Sequence, residues 1–150
     1  MSDRQIGPDI RECTSADFEQ IFCLLQQLWP DKQLRQERLK AVYEAGLASD
    51  YQYYLCAVEH GCVKGFGSMT LKNNLWSGGL LAHVDELVVD HASRGRGVGS
   101  ALLQTMIARA LEQRCTRVEL DSAFHRKGAH RFYESQGFEN RAYLFSKVLA

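Results

Sequence analysis

The chain has 150 residues, 45% of them hydrophobic and 24% charged, with only two prolines, which suits one ordered domain with a buried core and excludes a disordered segment. Eighteen Lys and Arg balance eighteen Asp and Glu, so no global charge marks the chain for nucleic acid or a membrane surface. No apolar run approaches the roughly 18 residues of a membrane span. Met1, Ser2, Asp3, Arg4 and Gln5 lead into no apolar stretch of the kind a secretion signal has. Five cysteines, an odd number without metal-ligand spacing, suit reduced thiols in a cytoplasm, and no metal site is expected.

With no repeat, linker or low-complexity tract, residues 1–150 read as one domain. Residues 8–13 read as a short strand. Thr14, Ser15, Ala16 and Asp17 then form a helix start, with a hydroxyl to cap and an acid in the first turn. Phe18, Ile21, Phe22, Leu25 and Leu28 recur at helical spacing, and Pro30 ends that helix. A second, more polar helix covers 34–47, with Gly46 as its stop. Residues 53–58 and 63–71 are rich in β-formers, and His60 and Gly61 between them suit a hairpin turn. Residues 72–79 read as a polar loop bordering a substrate site, and 80–89 as the next strand.

A glycine-rich turn follows, then a helix over 100–112 with Ala101, Leu102, Met106, Ile107, Ala110 and Leu111 inward. Residues 117–120 read as a strand, 128–135 as a helix, and Phe138 and 143–148 as the last strands. The front half is a meander and only the later part alternates strand and helix, so the class is mixed α/β.

The turn Arg94, Gly95, Arg96, Gly97, Val98, Gly99 carries the strongest chemical signal. Glycines let the backbone approach a ligand, and a helix start offers unpaired N–H groups at the positive end of its dipole. Two arginines add charge suited to phosphate oxygens. The pattern reads as a pyrophosphate cradle. It is not a nucleotide-triphosphate loop, which needs Gly-Lys-Ser/Thr, and it comes too late in the chain for a dinucleotide fingerprint.

Some thirty residues on stand Ala129, Tyr133, Gly137 and Phe138. Together with Arg94, Gly97 and Gly99, they make the chain resemble the GNAT superfamily of acyl-CoA-dependent N-acyltransferases. That family's Arg/Gln-x-x-Gly-x-Gly/Ala and Ala-x-x-x-Tyr-x-x-x-Gly-Phe patterns occur here in order. The resemblance implies an α/β fold whose mixed, mostly antiparallel central sheet has a bulged, splayed strand and helices on both faces. It implies acetyl-CoA as cosubstrate, its pyrophosphate on the amides of Arg94, Gly95, Arg96, Gly97, Val98, Gly99 and Ser100. Leu87, Val88 and Val89 would run beside the pantetheine arm as an added strand does. Ala129 and Phe132 would complete the coenzyme site. The family often has Asn where this chain has Arg126, so that contact passes to a cation that could meet phosphate.

Acyl transfer to an amine needs a deprotonated amine, a stabilised carbonyl oxygen and a proton for the thiolate. Glu86 is the favoured base, through water, with Asp85 second; strand alternation puts the two on opposite faces, and both also read as surface acids. The oxyanion donor would be a backbone N–H at the bulge, near Leu87 or Val88. Tyr133 is the acid, since a phenol of pKa about 10 can protonate a thiolate of about 8.5. His125 and His130 flank the same helix start. Trp29, Trp76, Tyr51, Tyr53 and Tyr54 read as packing residues that could line a pocket.

The expected acceptor is a primary amine of a small molecule, the look being nearest to aminoalkylphosphonate and aminoglycoside-type acetyltransferases. A non-catalytic acyl-CoA sensor, or an enzyme acting on a protein amine, is the alternative. No nucleic-acid or membrane partner is expected. A homodimer in the cytoplasm completes the expectation.

Overall fold

The computed structural model describes residues 7–150; the reading of Met1 to Gln5 lies outside them. Two compact units divide the chain, Met1–Glu119 and Leu120–Ala150.

In the first unit, β1 (Asp9–Glu12) leads to α1 (Phe18–Leu28) through one 3-10 turn. Thr14 starts that turn as expected, and its N–H donates to Asp17 Oδ2 at 2.7 Å. Arg11 clamps the same carboxylate with two hydrogen bonds, at 2.8 and 2.9 Å. The guanidinium holds the Asp17 carboxyl down at about 2, against the opposing effect of burial. Cys13, Asp17 and Cys56 meet there as a buried trio that sequence spacing did not reveal. Phe18, Ile21 and Leu25 of α1 are buried, and Phe22 and Leu28 are partly so, matching the helical spacing.

Helix α2 (Gln36–Leu47) packs its Tyr43 ring against Tyr54, stacked at 5.1 Å. Gly46 was expected to stop this helix. Instead it lies within it, buried, and a Cβ there would collide with the Tyr54 hydroxyl. Its role is close approach, not a cap.

Strands β2 (Gln52–Glu59) and β3 (Cys62–Asn74) pair antiparallel through His60 and Gly61, at φ +51° and +75°. Two positive φ values in a two-residue loop match the right-handed twist of a hairpin. β3 runs on through the residues expected as loop, because Lys72, Asn73 and Asn74 pair with Leu81, Leu80 and Gly79 of β4 (Gly79–Val89). Only residues 75–78 turn, with Asn74 Oδ1 accepting from the Ser77 N–H at 2.8 Å.

The sheet order is β1-β2-β3-β4-β5, antiparallel through β4 and parallel between β4 and β5 (Arg117–Leu120). Helices cover both faces. Phe66 of β3 points into the core of α1 and α2, whereas Gly65 and Gly67 face α3 (Val98–Glu112). A Cβ on Gly65 would stand 2.8 Å from Leu102, and one on Gly67 2.7 Å from Met106. These glycines let α3 lie directly on the strand. Leu103 is buried and Leu111 exposed, the reverse of the expected stripe. At 3.6 residues per turn, Leu103 lies about 60° from Met106 around the helix and Leu111 about 140°.

In the second unit α4 (Lys127–Ser135) forms as expected. No strand forms at Phe138 or over 143–148 among the described residues. A strand needs a neighbour to take its backbone donors and acceptors, and the sheet order ends at β5. None of the described helices is long and apolar enough to cross a membrane.

Candidate active site

The pairing of β3 with β4 is regular until Met69 meets Val84, and then Ser68 meets Glu86. Asp85 is the extra residue, so β4 is bulged there. The bulge expected from the resemblance is present, two residues before Leu87. It overturns the expected alternation of Asp85 and Glu86. Asp85 Oδ2 accepts from the Thr70 hydroxyl at 2.5 Å, and Glu86 Oε2 accepts from the Ser68 hydroxyl. Ser68 and Thr70 stand two apart on β3, so they share a face, and both carboxylates share it with them. One inserted residue has turned a pair split by the pleat into a pair of neighbours.

The two acids differ in surroundings. Asp85 is exposed and also bonds His83 Nδ1 at 2.9 Å. Glu86 is half-buried, and its N–H donates to Ser68 Oγ at 3.0 Å, so one buried serine holds both ends of the residue. Burial lifts the Glu86 carboxyl above the usual carboxylate range, and the Asp85 charge adds to the lift. The Ser68 hydrogen bond and His83 pull the other way.

Glu86 lines a small cavity of about 50 Å³ between α1, α2 and the sheet. Phe18, Ile21, Leu25, Trp29, Leu39, Val42, Tyr43, Tyr54 and Phe66 form the rest of its wall. The Tyr54 phenol is held above its ordinary range by burial first and by the nearby Glu86 and Asp85 charges second. Trp29 and Tyr54 thus line a cavity beside an acid, whereas Tyr51 and Trp76 are exposed. An apolar wall with one carboxylate suits an amine: desolvation favours the neutral amine, and the carboxylate can receive its proton.

Farther along β4, Leu87 pairs with Gly67, Val88 with Phe66 and Val89 with Gly65. Val88 is buried in the α1–α2 core. β5 has four residues against eleven in β4, and Thr116 just before it bonds the Leu80 carbonyl at 2.9 Å. Running parallel from that point, β5 accompanies only the first half of β4.

The glycine-rich turn begins after a 3-10 turn at His91–Ser93. Gly95 and Gly97 both take left-handed φ values, +78° and +82°, with extended Arg94 before them. Gly97 is the N-cap of α3, whose first residue, Val98, comes two positions earlier than expected. The first bond of the helix is from Ala101 N–H to Gly97 O, at 3.0 Å, so Val98, Gly99 and Ser100 supply the N–H groups that a helix start leaves over. A Cβ at Gly95 or Gly97 would meet nothing within 4 Å. The glycines answer to backbone conformation, and the space before them is open. The two arginines make contacts of their own. Arg96 pairs with Glu59 at 3.1 Å, and Arg94 Nε donates to the Val89 carbonyl at 3.2 Å.

In the second unit, Tyr133 packs beside Phe132 at 5.4 Å and edge-on to Phe138 at 6.0 Å. Gly137 takes φ +91°, with its N–H on Glu134 O and the Phe138 N–H on Tyr133 O, both at 3.0 Å. This is a Schellman C-cap, so Gly137 and Phe138 lock the helix turn that carries Tyr133. Burial lifts the Tyr133 phenol above its ordinary value, against the pull of the Arg126 charge. Tyr133 therefore keeps its proton across the neutral range and can donate it. Arg126 stands at the N-cap of α4, Ala129 is half-buried on the helix, and His130 Nε2 bonds the Ala123 carbonyl at 2.9 Å.

Sequence reasoning missed Ser68, Thr70 and His83. Counting register back from the 75–78 turn would have placed Ser68 opposite Asp85. Only the bulge moves it to Glu86.

Residues 12–138 match the Acetyltransferase (GNAT) family. The aminoalkylphosphonate N-acetyltransferase of Salmonella typhimurium is 27% identical over 141 residues, covering 94% of this chain and 91% of that protein. Glucosamine 6-phosphate N-acetyltransferase 1 of rice (Oryza sativa subsp. japonica) is 29% identical over 134 residues, 86% of this chain and 79% of its own. Among solved structures, the aminoglycoside N-acetyltransferase AAC(6')-Iy in complex with CoA has the same fold, with a TM-score of 0.83 at 21% identity. That match covers 98% of this chain and 99% of the other.

Proposed function

Because the chain belongs to the GNAT acetyltransferase family, and is on that footing an acyl-CoA-dependent N-acetyltransferase, we propose that it moves an acetyl group from acetyl-CoA to a primary amine of a small molecule. The amine attacks the thioester carbon directly. Glu86, with Asp85 beside it, takes the amine proton through water, and Tyr133 gives a proton to the departing thiolate. One carbon–nitrogen bond forms and one carbon–sulfur bond breaks. The observation that carries this reading is the Asp85 bulge, which brings both acids to one face and leaves Glu86 lining an aromatic cavity with a raised pKa.

The acyl group would come from acetyl-CoA, and coenzyme A would depart as the free thiol. The residues proposed to hold it fit a diphosphate. The left-handed glycines Gly95 and Gly97 face open space, and Val98, Gly99 and Ser100 bring helix-start amides to the same turn. Leu87, Val88 and Val89 offer main chain for the pantetheine arm, with an N–H near the bulge as the oxyanion donor. Arg94, Arg96, Arg126, Ala129 and Phe132 complete the proposed coenzyme contacts. A cytoplasmic site of action belongs to the same proposal.

The named relatives act on small amines that carry a phosphonate or phosphate group. Amines of that kind are the first acceptors to screen, followed by uncharged alkyl and aryl amines. The test reads free thiol released from acetyl-CoA by each amine. Acetyl-CoA alone should raise the melting temperature, as a ligand of the native state must. No thermal shift at millimolar acetyl-CoA, together with no thiol release from any amine, overturns the proposal.

A further inference from the structure

Helix α1 reaches two places that the reaction would use. Its Leu25 and Trp29 line the cavity beside Glu86. Gln27, between them in sequence and half-buried, uses both ends of its carboxamide on the segment that leaves β4. Nε2 donates to Asp90 Oδ1 at 2.8 Å, and Oε1 accepts from the His91 N–H at 3.1 Å. A carboxylate accepts and an N–H donates, so the two partners fix which way the amide points. The Gln27 bond is the main cause that holds the Asp90 carboxyl below its ordinary range, against the effect of burial and with the charges of Lys64 and His91 adding to it.

Main chain completes the fastening. The Asp90 N–H donates to the Lys64 carbonyl and the Ser93 N–H to the Asp90 carbonyl, each at 2.8 Å. The Lys64 bond continues the β3–β4 ladder by one step, so it fixes where the strand stops but not how the chain leaves it. His91 opens the 3-10 turn, and its N–H is one of those that a helical start leaves over. Gln27 takes it. Buried Ser93, extended Arg94 and left-handed Gly95 follow at once. We infer that Gln27 is a positioning residue for the coenzyme: through Asp90 and His91 it sets the place of the glycine-rich turn relative to α1. This rests on the reading of that turn as the acetyl-CoA site. A carboxamide supplies a donor for Asp90 and an acceptor for His91 at once. A glutamate in its place keeps the acceptor and sets a second negative charge against Asp90, and a methionine keeps the length and supplies neither.

The experiment titrates acetyl-CoA into the full chain by calorimetry and records the ligand-free melting temperature of the same samples. Gln27→Glu and Gln27→Met should each bind acetyl-CoA about tenfold more weakly, the low end of what losing a hydrogen bond to a charged group gives. Gln27→Glu combined with Asp90→Asn should recover the affinity to within about twofold, because the new amide at position 90 can donate to the new carboxylate at position 27. Far-UV circular dichroism establishes that each variant is folded, and either folded single variant suffices. A lower ligand-free melting temperature at unchanged affinity marks a clasp of the fold alone and overturns the inference. So does a loss in Gln27→Glu that the folded double variant fails to recover. In both cases acetyl-CoA still binds the unaltered chain, and the coenzyme site stands. No binding by the unaltered chain overturns the coenzyme site itself, and the inference with it.

Discussion

Two places, one on β4 and one in the turn that follows it, are built by different means. After the C-terminal end of β4, main chain is presented: left-handed Gly95 and Gly97, where an added Cβ would meet nothing within 4 Å, lead into the start of α3. At the middle, side chains are presented: one extra residue at Asp85 brings two acids together and sinks one of them into an aromatic wall. The first depends on residue type, the second on register. A main-chain site survives many side-chain changes but no added Cβ at a left-handed φ. A register site survives neighbouring changes but depends on every hydrogen bond that fixes its pleat.

A large expected effect lies outside both. Tyr133→Phe removes the proposed proton donor and keeps the ring against Phe132 and Phe138. Turnover should fall by about 100-fold, within the range for a lost general acid, while acetyl-CoA still shifts the melting temperature as before. Steady-state kinetics beside a thermal-shift titration separates the two, and unchanged turnover would reduce the tyrosine to packing. Gly97→Ala strikes the main-chain site. It forces a side chain to φ +82°, so calorimetry with coenzyme A should find affinity about tenfold weaker, as roughly 1–2 kcal/mol of left-handed strain would give.

Ser68→Ala strikes the register site. The Ser68 hydrogen bond lowers the Glu86 pKa against burial, so its loss moves that pKa further up. The acidic limb of kcat/KM should move to higher pH. The rate at neutral pH should fall about threefold, the factor that roughly 0.7 kcal/mol of lost hydrogen bonding gives. A limb that moves down would show that the serine does not bond the charged form.

Both places were legible to different degrees before any fold was at hand. Gly95 and Gly97 announce positive φ by being glycine in a strand-to-helix turn, and the expected turn is where the helix starts. Helix α1, the His60–Gly61 hairpin and the buried α3 residues Leu102 and Met106 follow equally from local pattern. The facing of Asp85 was not legible, because a bulge changes strand parity without leaving a residue type that marks it. Gly46 misled for a related reason: a helical glycine near a terminus reads as a cap, and only the Tyr54 hydroxyl on a neighbouring element explains it. Residues 143–148 have strand chemistry, but pairing depends on a neighbour that local pattern does not name.

A further expected effect concerns the frame that carries α1. Asp17 is held at about 2 against an ordinary 3.8 by Arg11. A depressed acid stabilises the fold above its unfolded pKa and loses that contribution as pH falls through the folded one. Acid unfolding followed by circular dichroism should therefore show stability draining between about pH 4 and pH 2. Asp17→Asn should flatten the profile in that window, and an unchanged profile would show that the Arg11 clamp does not act in solution.

The bulge matters to function only if it makes Glu86 the base. The most direct test is the pH dependence of kcat/KM for the unaltered enzyme and for Glu86→Gln. The expected result is an acidic limb with an apparent pKa above the 4.5 of an ordinary glutamate. The limb should vanish in the variant, with a loss of about 100-fold or more at neutral pH. A limb that persists unchanged in Glu86→Gln, at an undiminished rate, would contradict Glu86 as the base.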